Sequence, residues 1–223
     1  MNNSLMIHNF LEKYKKLYVD ELFVNSKNLS SSDFSKDEDA KNKLKKYESL
    51  ISNCRECHLS DNRTNFVFGA GDPNADIILV GEAPGIEEDS KGVPFIGKAG
   101  KLLDKILSAI KMNRFNGVFI LNVLKCKTPN NRDPLPSEVE KCRPYLQKQI
   151  NIIKPKLIVA LGKVAGKTLM RKDIPLKDMR SNTFDYYGIP LRVTYHPAAL
   201  LRNETLKKLA WDDFKWIRDY IKK

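Results

Sequence analysis

Four short apolar runs, alternating with helical patterns, constrain the fold of this chain more than any other feature. The runs cover about 76–81, 117–123, 156–162 and 189–195. Their β-branched content and the Gly and Pro residues that bound them are typical of buried strands. Strands that alternate with helices indicate a mostly parallel sheet with both faces covered. The sequence therefore predicts an α/β protein, in which ligands bind where the strands end.

The first fifty residues carry no catalytic motif. Apolar positions recur at helical spacing within residues 4–22, and a second helix is predicted at about 37–52. Residues 24–38 include Ser-Ser-Ser and scattered charges, which are typical of a flexible linker. We expect residues 1–50 to be a helical N-terminal extension with a linker, and residues 51–223 to be the functional domain.

The chain has 223 residues and a formal net charge of +12. Lys and acidic residues nearly cancel within residues 1–50, so the positive excess lies in the remainder. Such an excess favours a polyanionic partner, because Lys and Arg neutralise phosphates. A general Lys-rich composition is the alternative explanation. No apolar run reaches membrane-spanning length and the amino terminus lacks a signal pattern, so we expect a cytoplasmic protein without a membrane partner.

An acidic turn directly follows the first predicted strand. Gly81-Glu82-Ala83-Pro84-Gly85 ends that strand and turns the chain, and Glu87, Glu88 and Asp89 come next. Neighbouring carboxylates at the end of a buried strand suit chemistry, although a solvated acidic turn has the same composition.

Three other side chains lie in loops or at strand ends. Phe95 lies in a second loop rich in Gly and Pro, and on its own it is most simply a core residue. Asn122 is a polar residue near the end of the second predicted strand, and His196 follows the fourth. A histidine after a strand is often structural, so its position alone does not assign a function.

The four cysteines, Cys54, Cys57, Cys126 and Cys142, are consistent with one tetrathiolate site. A Cys-x-x-Cys pair can bind a metal or a cluster from one turn, and two distant cysteines can complete the set. Basic residues flank these cysteines and lower the cost of thiolate charge. Disulfides are disfavoured in an intracellular protein. The spacing does not separate zinc from an iron–sulfur cluster, and four free thiols are a third possibility.

These motifs together resemble those of the family 4 uracil-DNA glycosylases, which are iron–sulfur members of a larger superfamily. The resemblance covers about 52–221 and rests on Gly-Glu-Ala-Pro-Gly-x-x-Glu-Asp, Gly-x-Pro-Phe-Ile-Gly-x-Ala-Gly, Asn-Val-x-Lys-Cys, Cys-Arg-Pro-Tyr-Leu and His-Pro-Ala-Ala-Leu-Leu-Arg. It implies a three-layer α-β-α sandwich with a four-stranded parallel sheet. It also implies a 4Fe–4S cluster, with zinc less favoured, and a base excision repair enzyme that hydrolyses the N-glycosidic bond of uracil in DNA.

The resemblance also implies roles for the residues of the pocket. Phe95 would stack on a uracil that has left the base stack. Asn122 would accept a hydrogen bond from uracil N3–H and donate one to O4. His196, as a neutral imidazole, and backbone N–H groups near Glu82 and Ala83 would stabilise the negative charge on the departing base.

The acid that orients the water is less clear from the resemblance. Ala83 stands where family 1 enzymes have an aspartate, so Glu82 and Glu88 are the candidates. Gly85 stands where family 1 enzymes have a tyrosine that excludes thymine, so other walls must reject its methyl group.

Contacts with the DNA backbone and helix are implied for the last motif. Leu200 and Leu201 would fill the position that the base leaves, with Arg202 and Arg132 on flanking phosphates. The alternative is that the two leucines belong to a core turn and the two arginines to a solvated face, without contact to DNA. The expected partner is uracil-containing DNA, single- or double-stranded, with a possible replication or repair protein, which would make the enzyme nucleoid-associated.

Two alternatives from other functional classes stay open at this point. One is a catalytically silent DNA-binding protein on the same fold, and the other is a redox protein that uses the iron–sulfur cluster. A relative that traps uracil covalently is also conceivable, although its basic, histidine-containing insertion is absent after Asn122.

Overall fold

The computed structural model describes residues 39–222 of the chain. The predicted helix within residues 4–22 and the predicted linker at 24–38 lie outside the described residues. The division of the chain at residue 50 therefore stays a prediction.

A six-stranded mixed sheet forms the centre of the described part, in the order β1-β3-β2-β4-β6-β5. Its strands are β1 (Ala70–Gly71), β2 (Ile77–Gly81), β3 (Val118–Asn122), β4 (Leu157–Leu161), β5 (Phe184–Tyr186) and β6 (Ile189–Thr194). The four inner strands are parallel, as the sequence predicts, and β1 and β5 pair antiparallel at the two edges. The prediction of four strands missed these edges because strands of two and three residues carry no readable alternation.

Eight α-helices surround the sheet within residues 39–222, and two short 3₁₀ turns cover His58–Ser60 and Pro129–Asn131. The α-helices are α1 (Ala40–Ile51), α2 (Ile86–Lys91), α3 (Lys98–Ala109), α4 (Pro136–Ile153), α5 (Lys163–Met170), α6 (Leu176–Ser181), α7 (Pro197–Arg202) and α8 (Leu206–Ile221). None of these helices is long and apolar enough to cross a membrane.

The two faces of the sheet carry separate apolar cores. On one face, alternate strand residues such as Ile78 and Val80 pack with Leu44 of α1 and Leu146 of α4. On the other face, the intervening strand residues pack with α3 and α8, including Phe214. All five residues in each of β2, β3 and β4 are buried, as expected for strands covered on both sides. The predicted α/β sandwich of three layers is confirmed.

The register of the sheet places the functional segments at one edge. Gly81 at the end of β2 is the register partner of Asn122 at the end of β3. Leu161 and Thr194, at the ends of β4 and β6, are paired in the same way. Since these strands are parallel, the segments that follow them leave the sheet at its carboxyl edge.

Candidate active site

Asn122 lies at the carboxyl edge with its side chain directed across the end of β2. A Cβ added to Gly81 would lie 2.4 Å from Asn122 Oδ1, so the missing side chain of Gly81 leaves room for this amide. Asn122 is buried, and its Oδ1 has no hydrogen-bond partner among residues 39–222. Buried polar atoms are normally paired, so an orphaned acceptor at a strand end indicates a ligand site.

Phe95 reaches the same place from the loop between α2 and α3. A Cβ on Gly81 would lie 2.6 Å from the Phe95 ring, which sets this ring beside the Asn122 amide. The backbone of Phe95 has a φ of 54°, in the left-handed region that is costly for a bulky residue. The surrounding contacts must therefore hold the loop in this conformation.

Two buried or half-buried charged side chains hold the Phe95 loop. Arg114 donates to the carbonyl oxygens of Pro94 at 3.1 Å and Phe95 at 2.7 Å, and it also pairs with Asp104 at 2.8 Å. From the other side, Glu88 Oε1 accepts from the N–H groups of Ile96 and Gly97, at 3.0 and 2.9 Å. Charged groups hydrogen-bonded to the backbone fix a loop more firmly than neutral ones.

His196 forms the N-cap of α7 and faces Phe95. Its Nδ1 accepts from the Ala198 N–H at 3.2 Å, which leaves the ring proton on Nε2 in the neutral form. Burial, together with the charge of Arg202, lowers the pKa of His196 to about 4, and Glu88 opposes this shift. The ring centroids of Phe95 and His196 are 5.4 Å apart. His196 is therefore a neutral hydrogen-bond donor beside the same pocket at neutral pH.

The carboxylates of the acidic turn occupy three different environments. Glu82 is half-buried, and burial followed by the charge of Asp133 raises the pKa of its carboxyl group to about 7. Glu88 Oε1 accepts hydrogen bonds from the backbone N–H groups of Ile96 and Gly97, so Glu88 supports the Phe95 loop. Asp89 is buried and accepts from the Thr64 N–H at 3.0 Å, which makes it a structural residue.

Gly85 and Ala83 lie between these carboxylates. Gly85 is the N-cap of α2, and a Cβ there would lie 2.7 Å from Glu88 Oε2. The Glu88 side chain therefore occupies space in front of Gly85. Ala83 is half-buried and packs against the apolar core on the α4 face of the sheet.

The structure contradicts one predicted DNA contact. Leu200 is only 1% exposed, so it cannot enter a gap in the base stack from its position in α7. Its neighbour Leu201 is 47% exposed and is available for that contact. One helical turn directs adjacent side chains to different faces, and the sequence Leu-Leu does not show which one faces outward.

The two predicted phosphate contacts differ in their surroundings. Arg202 is exposed in the last turn of α7. Arg132 instead pairs with the buried Glu138 at 2.5 Å, and Glu138 also contacts His58 at 2.9 Å. Arg132 therefore fixes the loop before α4 to the segment that follows Cys57.

The four cysteines lie near one another beside α4, and none of them forms a disulfide. Cys126 and Cys142 are buried, and Cys126 interacts electrostatically with Cys54 and Cys57. Burial raises the pKa of the Cys142 thiol to about 12, so deprotonation there needs a metal or a nearby cation.

Donors from the protein already point at two of these sulfur atoms. Arg63 Nη1 lies 3.3 Å from Cys126 Sγ, and the Tyr145 hydroxyl lies 3.2 Å from Cys54 Sγ. Hydrogen bonds to sulfur are typical of thiolate-ligated clusters. Within residues 39–222, no three His, Cys, Asp or Glu side chains are close enough to hold a single metal ion. Four cysteine sulfur atoms are a ligand set that either a zinc ion or an iron–sulfur cluster accepts.

Three residues have roles in this site that sequence reasoning did not assign. The sequence indicates Gly81 only as the end of a strand, but its missing side chain provides clearance for Asn122 and Phe95. The sequence indicates Lys125 only as a basic neighbour of Cys126, but it is fully buried and donates to the Asn122 carbonyl oxygen. Arg114, which holds the Phe95 loop, has no sequence signal, because burial of a basic side chain depends on tertiary packing.

Residues 68–215 match the model of the uracil DNA glycosylase superfamily. A type-4 uracil-DNA glycosylase of Sulfurisphaera tokodaii is 44% identical over 184 residues, which cover 79% of this chain and 84% of that protein. Type-4 uracil-DNA glycosylases of Archaeoglobus fulgidus and Thermotoga maritima are 44% and 41% identical, covering 75% and 78% of this chain and 87% and 92% of the relatives.

Proposed function

This chain belongs to the uracil-DNA glycosylase superfamily, and we propose that it hydrolyses the N-glycosidic bond of uracil in DNA, releasing uracil and leaving an abasic site. The main support for the proposal is that Phe95 lies beside the Asn122 amide at Gly81 and also beside the His196 ring. These residues come from three separate segments, and each has chemistry suited to one part of a pyrimidine ring.

Base recognition depends on the orphaned acceptor of Asn122. Its Oδ1 accepts from uracil N3–H while its amide nitrogen donates to O4. Cytosine presents the reverse order and would leave the buried acceptor facing a lone pair, which costs about 1–3 kcal/mol per unsatisfied group. Phe95 supplies the flat apolar surface on which the extruded base stacks, at an extrusion cost of roughly a few kcal/mol.

His196 acts when the base departs. Negative charge grows on the leaving uracil, chiefly at O2, and the neutral imidazole donates a hydrogen bond to it from Nε2. The acceptor bond of Nδ1 from Ala198 fixes the tautomer that this requires. Backbone N–H groups near Glu82 and Ala83 complete the stabilisation.

Carboxylates act on the sugar side of the bond. Glu82 is the better candidate for orienting water and stabilising the oxocarbenium-like sugar, because the structure shows no side-chain hydrogen bond from it within residues 39–222 and its pKa lies near 7. Glu88 contributes negative charge through Oε2, while its Oε1 holds the Phe95 loop. With Gly85 lacking a side chain, the Glu88 carboxylate is part of the wall that excludes the thymine methyl group.

The four cysteines hold a 4Fe–4S cluster in this proposal. When bound, the cluster joins the segment of Cys54 and Cys57, the loop of Cys126 and helix α4 with Cys142. Iron and sulfide analysis of anaerobically purified protein tests this. About four of each per chain is expected, and stoichiometric zinc in a colourless protein would contradict it.

Uracil-containing DNA, single- or double-stranded, is the proposed partner. Leu201 enters the vacated base position and Arg202 contacts a flanking phosphate, since both are exposed on α7. Work on chromosomal DNA makes the protein nucleoid-associated within the cytoplasm, with a replication or repair protein as a second proposed partner.

A uracil-release assay on single- and double-stranded oligonucleotides tests the central proposal. Asn122→Ala is the informative variant, because it should lose far more excision than DNA binding. Asn116→Ala, at an exposed amide before the opposite end of β3, is the matched control and should keep the wild-type rate. If the wild type gave no abasic product, the catalytically silent DNA-binding protein or the redox protein would replace this proposal.

A further inference from the structure

The end of strand β6, just before His196, is bonded to a carboxylate from another element. Thr194 is the last residue of β6 and is fully buried, and its Oγ1 donates to Asp213 Oδ2 at 2.6 Å. Asp213 lies in α8 and is itself buried. A hydrogen bond to an ionised acceptor is stronger than one between neutral groups. The strand end is therefore tied to α8 two residues before the imidazole.

Arg180 of α6 completes this contact. Its Nε donates to Asp213 Oδ2 at 2.8 Å and its Nη2 to Oδ1 at 3.0 Å. A buried carboxylate is costly without a partner cation, so this two-bond pair allows Asp213 to stay charged. The guanidinium of Arg180 also lies 4.3 Å from the centroid of the Tyr195 ring, and its Nη1 is 3.3 Å from the Tyr195 hydroxyl. Both residues before His196 are thus in contact with the Asp213–Arg180 pair.

The backbone of His196 runs close to the end of β4. The Gly162 N–H donates to the Thr194 carbonyl oxygen at 2.8 Å, and a Cβ on Gly162 would lie 3.0 Å from His196 Cβ. Within residues 39–222, the hydrogen bond of the imidazole is to the Ala198 N–H of its own turn, which does not tie the ring to the sheet. The direction of the ring therefore follows from the position of the strand end.

We propose that Asp213, paired with Arg180, is a positioning residue that sets the direction of the His196 imidazole in the pocket. It acts through Thr194 and Tyr195. A small displacement of a positioned group can cost about 10²-fold in rate. This inference rests on the proposed function, in which His196 stabilises the departing uracil. It predicts that weakening the contact slows excision only when His196 is present.

A double-mutant cycle between Thr194→Val and His196→Ala tests this dependence. Thr194→Val removes the hydroxyl that bonds Asp213, keeps the size of the side chain and leaves Asp213 paired with Arg180. The single-turnover rate of uracil release is measured in the wild type, both single variants and the double variant. Thr194→Val should lower the rate at least about tenfold when His196 is present and less than about twofold when it is absent. Equal reductions in both backgrounds, or none in either, would overturn the proposal.

Asp213→Asn tests the charge of the carboxylate in the same cycle. The amide cannot accept both bonds from Arg180, so the rate should fall at least as far as in Thr194→Val, again only with His196 present. A rate in Asp213→Asn within about twofold of the wild type would also overturn the proposal. Each of the two variants tests the proposal if the other does not fold.

Trp216→Leu is the matched control for stability. Trp216 also joins α8 to β6, because the Arg192 guanidinium lies 4.3 Å from the centroid of its ring. This contact involves neither Thr194 nor Tyr195. The variant should lower the midpoint of urea unfolding while changing the rate of the folded enzyme by less than about twofold. A reduction in rate as large as that in Thr194→Val would show that general loosening of α8 explains both, which would overturn the proposal.

The imidazole ¹⁵N resonances give a second measurement that does not depend on catalysis. The signals of His196 are assigned by their loss in His196→Ala. Thr194→Val and Asp213→Asn should shift these signals and leave those of the exposed His58 unchanged. Unshifted His196 signals in both variants would overturn the proposal. If the wild type released no uracil while the signals shifted as expected, the proposed function would be rejected and the positioning of His196 by Asp213 would stand.

Discussion

The rings of Phe95 and His196 lie 5.4 Å apart between centroids, with an angle of 37° between their planes. A base stacked on Phe95 therefore has one edge within reach of the imidazole. The first residue lies in a loop after the helix α2 and the second follows strand β6, so this contact requires the whole sheet to be assembled. Stacking by Phe95 and charge stabilisation by His196 thus act on the same uracil ring.

His196→Ala should lower the single-turnover rate by about 10²–10³-fold, the usual cost of removing one donor to a developing anion. Affinity for DNA should change little, because the lost bond forms mainly as the base departs. The pH dependence of the stability of the folded protein tests whether His196 is neutral in it. The unfolded chain takes up this proton near pH 6.5 and the folded chain only near 4, so wild-type stability falls as pH drops through that interval. A chemical step changed by less than about threefold would contradict the assigned role.

Glu82 should impose a pH dependence on the chemical step. Burial and the charge of Asp133 raise the pKa of Glu82 to about 7, so its carboxylate form grows as pH rises through neutrality. We expect the single-turnover rate to rise through about pH 7, where it is half-maximal, and to level off at higher pH. Glu82→Gln should be slow at every pH, and Asp133→Asn should move the inflection to lower pH by removing the second cause. If the pH–rate profile of Glu82→Gln kept the same inflection, another group would be responsible for it.

Arg114→Ala should release the Phe95 loop. The variant loses donors to the carbonyl oxygens of Pro94 and Phe95, so that only Glu88 still holds the loop in which Phe95 is left-handed. Urea unfolding should show a loss of about 1–3 kcal/mol, and uracil excision should fall further than this loss explains. Arg218→Ala is the control, since its pair with Asp219 is exposed and should contribute little. Full excision activity in Arg114→Ala would show that Phe95 does not need the clamp.

Leu201→Ala and Leu200→Ala should have opposite signatures. Leu201 is exposed, so its truncation should reduce excision from double-stranded DNA and spare single-stranded DNA, in which no gap in a base stack needs filling. Leu200 is buried, so its truncation should cost about 2–5 kcal/mol of stability and affect both substrates alike. Equal losses on the two substrates in Leu201→Ala would remove the wedge role from this leucine.

The four inner strands could be predicted from the sequence, because apolar runs that alternate with helices indicate a parallel sheet. Parallel strands end at one edge, which brings together the segments of Asn122 and His196. Phe95, in a loop between two helices, was expected beside them only from the family resemblance. The edge strands β1 and β5 are too short to carry a pattern. The resemblance also did not show which of the adjacent leucines, Leu200 or Leu201, faces outward.

Glu88 and Lys125 show a second limit of sequence reasoning. Their residue types suggested a carboxylate for catalysis and a basic neighbour for a thiolate. The structure adds that Glu88 holds the backbone at Ile96 and Gly97, and that Lys125 holds the backbone at Asn122. Such hydrogen bonds from side chains to nearby backbone atoms cannot be predicted from spacing, because they depend on the conformation of the loop between them.

The unpaired oxygen of Asn122 has a consequence for turnover. Asn122 Oδ1 can accept a hydrogen bond from the N3–H group of uracil in DNA and equally from that of released uracil. Released uracil should therefore dissociate slowly and compete with the next uracil in DNA for the pocket. Excision on heavily damaged DNA would then be governed by how fast the product escapes.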